Sequence, residues 1–287
     1  MRRREMLLTG GAAALAAATF PLKWVAGAEK KKQRLLYFTR SVQYEHSVVK
    51  REGNELSHSE KILTELGRKA GFDVECTKDG RVFDGDLDRF DAIVSYSCGD
   101  MSLPSVDKAP PMSAKGKKRL VQAVADGKPF VGIHSAYYWG ADVGVEDPYV
   151  GMFGASFIKH GKQQESTMVV TSPRFPGAEG LGRSFRLVDE WYASKEFADD
   201  LHVILAQDCT GMEGDMYQRP PFPSTWARLH GKGRLFFTAM GHREDVWTNP
   251  AFQQILLGGI AWALGNVDAD ITPNVRQVTP KADELGP

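Results

Sequence analysis

Cysteine is scarce in this chain: three residues in 287, at Cys76, Cys98 and Cys209. So small and odd a number excludes a disulfide-stapled fold and leaves at least one thiol free in any oxidising compartment. All three are expected to be packing residues. Excess charge is also missing, since 36 basic and 36 acidic residues cancel. That removes the electrostatic footprint of a nucleic-acid binder. No apolar run is long enough for a stable membrane span; the stretch from Met6 to Phe20 is weakly apolar, rich in Ala and Gly, and too short. Neither HExxH nor CxxC spacing occurs, the Gly-x-Ser-x-Gly pattern is absent, and there is no internal repeat. No single local motif declares a chemistry.

What remains is the composition of an ordinary globule, 42% apolar and 25% charged. Arg2, Arg3 and Arg4 precede the weakly apolar stretch, and Ala26-Gly27-Ala28 follows it as a signal-peptidase site would. The pattern resembles a twin-arginine-type signal peptide over residues 1–28, with a Sec signal or an uncleaved anchor as the alternative; on either reading the working protein is expected outside the cytoplasm, periplasmic or extracellular. Residues 29–33 read as a linker, 34–266 as one domain and 267–287 as a polar C-terminal tail. Without the leader, about 260 residues remain, enough for one large domain.

Strand and helix signals alternate through that domain. Leu35 to Thr39 is a short continuous apolar run, as a buried parallel strand should be. Ser57-His58-Ser59-Glu60 has capping-box spacing ahead of a helical stripe of Ile62, Leu63, Leu66 and Ala70, stopped by Gly71. Phe72 to Cys76, Phe90 to Tyr96 and Pro129 to Ile133 are further strands, with a helix over about Ala114 to Asp126 between the last two. Phe185–Val188, His202–Ala206, Ser224–Arg228 and Arg234–Thr238 are later strand candidates, and Pro250 to Leu264 is the closing helix. Tyr137 to Gly182 is expected to be functional loop. The alternation predicts an α/β fold, a parallel sheet with helices on both faces, whose ligands bind beyond the carboxyl ends of the strands.

Three of the seven histidines follow predicted strands directly: His46 after the first, His134 after the fourth, His242 after the last long one. Parallel strands share one carboxyl edge, so these imidazoles are expected to converge although they lie far apart in sequence. His160 and Glu190 sit in less regular sequence. Such a mixed nitrogen and oxygen set suits zinc or another first-row divalent ion, with the carboxylate as ligand or base. His58, His202 and His230 are read as surface or structural residues.

Gly127 to Ala136 resembles the nucleophile elbow of class I glutamine amidotransferases, with His134 standing where the catalytic cysteine would be; Asp91 to Gly99 resembles the preceding strand and glycine turn. An imidazole cannot replace a thiolate in that covalent route, so glutamine hydrolysis is excluded. Taken with Phe157-Ile158-Lys159-His160, Asp189-Glu190-Trp191-Tyr192, the block Gly233 to His242, Asn249 to Phe252 and Gly258 to Trp262, the chain resembles the ThuA-like (trehalose utilisation) family over residues 34 to 266. The resemblance implies a flavodoxin-like, amidotransferase-like fold and a role in sugar catabolism, in particular on disaccharides oxidised to 3-keto sugars.

On that basis His134, Glu190 and His242 are the expected catalytic residues. His46, His134, His160 and His242 are the expected metal ligands, and Tyr138, Trp139, Trp191 and Tyr192 the expected sugar-stacking residues. The function implied is a metal-dependent hydrolase, lyase or isomerase on glycosides, with a small sugar as partner and neither nucleic acid nor membrane. A non-catalytic carbohydrate-binding module on a degenerate amidotransferase fold is the alternative. Oligomeric state is not encoded in any visible pattern.

Overall fold

The structure, a computed structural model, describes residues 32–286. The expected leader therefore lies outside the described residues.

The first half alternates as its sequence pattern requires. Strand β1 (Gln33–Phe38) begins inside the expected linker and is followed by α1 (His58–Ala70) and β2 (Phe72–Thr77). Strand β3 (Ala92–Ser95) leads to α2 (Ala114–Asp126) and then β4 (Phe130–Ile133). The capping box of α1 forms in full: the Ser57 side chain accepts from the Glu60 amide, the Glu60 carboxylate accepts from the Ser57 amide, and Gly71 closes the helix in the left-handed conformation. Right-handed crossovers put α1 and α2 on opposite faces, because β2 and β4 are reached from their preceding strands in opposite directions along the sheet.

The second half is more regular than the glycines and prolines of Tyr137 to Gly182 suggest. It holds α3 (Pro148–Phe153), β5 (Ser156–His160), β6 (Gln164–Val170) and β7 (Ser184–Asp189). Next come β8 (Tyr192–Lys195), β9 (His202–Asp208), β10 (Phe222–His230) and β11 (Gly233–Thr238). The chain continues through α4 (Glu244–Trp247), α5 (Pro250–Ala263) and α6 (Val275–Val278).

The main sheet runs β2-β1-β3-β4-β11-β10-β9-β6-β7, with β5 and β8 forming a separate two-stranded ribbon. From β2 to β11 every pairing is parallel. From β11 onward every pairing is antiparallel. The expected parallel sheet is thus present and is widened by an antiparallel half, in which β7, β9 and β10 fall on strand candidates read from the sequence, whereas their antiparallel pairing has no local signature. Strands β1, β3 and β4 are buried along almost their whole length, which accounts for their unbroken apolar runs. Residues 267–286 pack back onto the antiparallel half: Val275 and Ala282 are buried, and Asn274 bonds to the backbone of Val203 on β9.

Among the described residues no helix is long and apolar enough to cross a membrane.

Candidate functional site

The carboxyl edge of the parallel half gathers the histidines. His46 lies on the loop after β1, His134 directly after β4, and His242 four residues after β11. Their rings stand 5.0 to 5.2 Å apart, centroid to centroid, each pair close to perpendicular. Glu190, immediately after β7, reaches them from the antiparallel half. One ligand atom from each of His46, His134, Glu190 and His242 lies within 4.8 Å of the other three, and all four residues are buried.

Each side chain is held by its local backbone. His134 has a φ of +51°, a left-handed conformation rare for a residue with a side chain, so the chain turns sharply out of β4 and drives the imidazole into the edge. Its Nδ1 lies 2.8 Å from the Ala239 carbonyl, which can only accept, so Nδ1 carries the proton and Nε2 faces the cluster. The turn carrying His242 is pinned by Asp189, whose carboxylate accepts from the amides of Gly241 (2.7 Å) and Arg243 (3.2 Å). Tyr96 and Trp247 both donate to the Gly241 carbonyl. Gly241 has φ +120°, which side-chain-bearing residues rarely adopt.

The electrostatics follow from burial and proximity. Burial alone would raise the Glu190 pKa, but the neighbouring imidazoles of His134 and His242 outweigh it and hold the carboxyl well below its usual range. Its Oε2 is 3.0 Å from His242 Nδ1 and 3.6 Å from His134 Nε2. Burial, then the neighbouring His134 and His242, depress His46 well below an ordinary histidine, so it is neutral, as a ligand must be. Burial pushes the Asp189 carboxyl up.

These residues fit a divalent ion. Ligand atoms about 2.0–2.2 Å from a tetrahedral ion stand about 3.4 Å from one another. The distance between His242 Nδ1 and His134 Nε2 is 3.3 Å, and the carboxylate contacts bracket the same value. His46 Nδ1 is buried without any hydrogen-bond partner, a desolvated lone pair or N–H that protein structure does not normally leave unmet.

The other expected residues divide. His160 is half-exposed and lies outside the four-residue cluster; its Nδ1 is 3.2 Å from the second Glu190 oxygen, and its ring stacks on Tyr192 at 5.4 Å. Tyr138 and Tyr192 line a cavity of about 310 Å³ above the cluster, together with Gln43, Tyr44, Cys98, Phe157, His160 and Glu190. Trp139 and Trp191, expected to stack on a sugar, do not line it. Trp139 is packed on Tyr149 with the Lys117 ammonium 4.0 Å above its ring. Trp191 is fully buried, and its indole N–H donates to the Gln164 carbonyl on β6. An aromatic beside a functional motif has two faces of the chain to choose from, and here the core claimed both tryptophans.

Cys98, expected only to pack, is a cavity residue, though burial pushes its thiol up to about 12 and so keeps it protonated. Gln43 and Tyr44 carry no signal in sequence that would have singled them out, and Phe157 enters only as the start of the motif ending in His160. Tyr217 is a further residue that sequence reading missed. Its hydroxyl accepts from the Gly161 amide at 2.9 Å and donates to the Trp191 carbonyl, tying the segment after His160 to the segment after Glu190.

The carboxyl edge of the parallel half, with His134 in a left-handed turn out of β4 and His46, His242 and Glu190 around it, belongs to an α/β fold of the flavodoxin-like, amidotransferase-like class. The family model described as "ThuA: Trehalose utilisation" matches residues 34–263, and the chain belongs to that family. Two solved structures share the fold: a putative ThuA-like protein from Bacteroides uniformis ATCC 8492 and another from Parabacteroides merdae ATCC 43184. The first is 16% identical, with TM-score 0.61 over 83% of this chain and 94% of that one. The second is 19% identical, with TM-score 0.59 over 90% of this chain and 100% of that one. A β-galactosidase from Bacillus circulans sp. alkalophilus is similar at TM-score 0.50 and 12% identity, over 81% of this chain and 30% of its own. No curated protein matches the sequence. Family membership ties the chain to sugar utilisation.

Proposed function

We propose that this chain is an exported, metal-dependent enzyme that cleaves or rearranges a glycoside, with a 3-keto sugar as the reacting ring. The observation that carries the reading is the convergence of three imidazoles and one ionised carboxylate, brought from four distant segments to the carboxyl edge of the sheet. Sugar binding alone needs no such set. The arginine run and apolar stretch of residues 2–20 support export.

His46, His134, Glu190 and His242 would hold the ion, zinc or another first-row divalent metal. Once bound, the ion would supply Lewis acidity toward a sugar carbonyl. The remaining chemistry falls to the protein. A carbonyl at C3 acidifies the proton at C2, and His160 faces the cavity with its Nδ1 against Glu190. His160 takes the C2 proton, the C–H electron pair forms the C1=C2 double bond, and the C1–O bond breaks. The departing oxygen receives the proton back from the imidazolium, so atoms and charge balance. Glu190 keeps the imidazolium oriented and stabilised through its second oxygen, as an acid does for a histidine base. Tyr192, stacked on His160, holds the ring plane.

The test is release of methanol from methyl 3-keto-α-glucoside, followed by NMR with and without chelator. Metal-dependent release that falls at least a hundredfold in His160→Ala is expected. Release unaffected by chelator, or none with metal restored, overturns the reading.

A further inference from the structure

Of the four cluster residues, His46 has the least direct support from the sheet. His134 and Glu190 follow β4 and β7 immediately and His242 stands four residues after β11, but His46 comes eight residues after β1. On the way the chain leaves the core: Gln43 and Tyr44 are exposed, and His46 is buried again. Beyond His46 the path is secure. Its carbonyl accepts from the amides of Val49 (3.0 Å) and Lys50 (3.1 Å), and Val48 and Val49 are fully buried. Ahead of it, the turn back inward falls on Glu45.

Glu45 is held by Lys78, directly after β2, the edge strand that sends no residue to the cluster. Glu45 Oε1 accepts from the Lys78 ammonium at 3.0 Å. The same nitrogen donates to the Thr39 carbonyl at 3.0 Å and pairs with Asp107 Oδ2 at 3.1 Å. An ammonium has three protons, and this one meets three acceptors, as a side chain only 7% exposed must.

Two of those acceptors are fixed without Glu45. Thr39 continues β1, its amide donating to the Thr77 carbonyl. Asp107 Oδ1 accepts from the Ser105 hydroxyl (2.6 Å) and the Ala109 amide (3.0 Å). The loop around Asp107 is stapled in turn by the buried Arg40, which donates to the carbonyls of Met101 (3.1 Å), Leu103 and Ala109 (3.1 Å). Lys78 is therefore a fixed post, and Glu45 is the part tied to it. Without the ammonium, the Glu45 and Asp107 carboxylates would face each other as like charges away from bulk water, and repulsion would drive the Glu45 segment outward.

We propose that Lys78, acting through Glu45, is a positioning residue that sets the His46 ring at the carboxyl edge before any ligand arrives. The ring lies edge-on to Tyr44 (4.9 Å) and Tyr96 (5.3 Å) and 5.0 Å from both His134 and His242. A small outward shift at residue 45 carries it out of that arrangement, and ligand sets depend on such outer bonds for their geometry. The effect on a bound ion rests on the metal reading above; the placement of the ring does not.

The test is NMR of the histidine Cε1 protons in the untagged, metal-free full chain, with the His46 signal assigned by its loss in His46→Ala. The surrounding aromatic rings displace that signal in wild type. In Lys78→Ala and in Glu45→Ala it should move to the position of a free histidine, while His202 and His230 stay where they are. Glu45→Gln, which keeps an acceptor oxygen, should fall between. Lys117→Ala, which removes the half-buried pair with Asp147 on another face, should leave His46 in place. In a parallel zinc titration Glu45→Ala should weaken binding about tenfold, as outer supports do, but less than about twofold in a His46→Ala background, because the two residues act as one. Should Lys78→Ala not fold, Glu45→Ala decides, since it leaves the Lys78–Asp107 pair intact. A His46 signal unmoved in Glu45→Ala overturns the proposal, as does a shift shared by His202 and His230, or an equal loss of zinc affinity with and without His46. Wild type that takes up no zinc defeats the metal reading, and the NMR result still decides this one.

Discussion

The two halves of the sheet do different work at one edge. The parallel half delivers three histidines because its strands all end on the same side, so residues 46, 134 and 242 converge with no local motif between them. The antiparallel half contributes a single member of the cluster, Glu190, and then the struts that fix it. Asp189 pins the Gly241–Arg243 turn, and Tyr217 ties Trp191 to Gly161. A parallel sheet places ligands by topology alone; an antiparallel extension places them by hydrogen bonds that have to be built one at a time.

The largest stability effect is expected in the parallel half. Glu60 is fully buried and accepts from Thr39 at the end of β1, twice from Arg51, and from the Ser57 amide. Burial opposes its ionisation, but the Arg51 pair and these bonds outweigh it and lower its pKa. Glu60→Ala should cost about 3–5 kcal/mol, read by urea denaturation, because it strands Arg51 and opens the α1 cap. The sign with pH follows from the lowered folded value. Its stabilisation is present above the unfolded glutamate pKa of about 4.3 and is lost as pH falls through the folded value. The stability gap between wild type and Glu60→Gln should therefore narrow on acidification below about pH 4. A gap that widens there would mean the carboxylate is not the stabilising form.

Gly241→Ala sits where the halves meet. At φ +120°, and with a Cβ that would lie 3.1 Å from Ile133, it should cost about 1–3 kcal/mol and displace His242. Loss of stability with unchanged ion affinity would separate the turn from the cluster. Tyr217→Phe probes the antiparallel struts. It should lower metal affinity about tenfold while moving Tm by only a few degrees, since outer supports typically act at that level. An unchanged affinity would show that Glu190 needs no such support. Smallest is Arg276→Ala, which removes the tail's exposed pair with Asp199 and its own internal pair with Asp283. A change under about 1 kcal/mol is expected.

The same contrast explains what was legible in the sequence. Leu35–Phe38, Phe130–Ile133 and Leu235–Thr238 are buried on both faces and advertise themselves as apolar runs, and the α1 cap is written in Ser57 and Glu60. With those strands placed, the rule that ligands sit beyond carboxyl ends brings His46, His134 and His242 together. The antiparallel half shows only in part: β7, β9 and β10 fall on strand candidates, but β6 and the pairing do not. Gln164–Val170 opens with four polar residues, and Ser166, Gln207, Ser224 and Thr225 are buried polar positions inside strands. Its register depends on long-range pairing, so neither the reach of Glu190 nor the strut at Tyr217 has a local signature. Trp139 and Trp191 mislead for a related reason: apolar aromatics near a motif look alike whether they face the cavity or the core.

Both halves of the sheet are proposed to supply ligands to one ion. Elemental analysis of protein purified without chelator or histidine tag tests it, comparing wild type with His134→Ala and His242→Ala from one half and Glu190→Gln from the other. About one divalent ion per chain in wild type, with near-complete loss in all three variants, is the predicted result. Wild type that holds no ion and takes up none when zinc or manganese is added, or a Glu190→Gln variant that retains full occupancy, would contradict it.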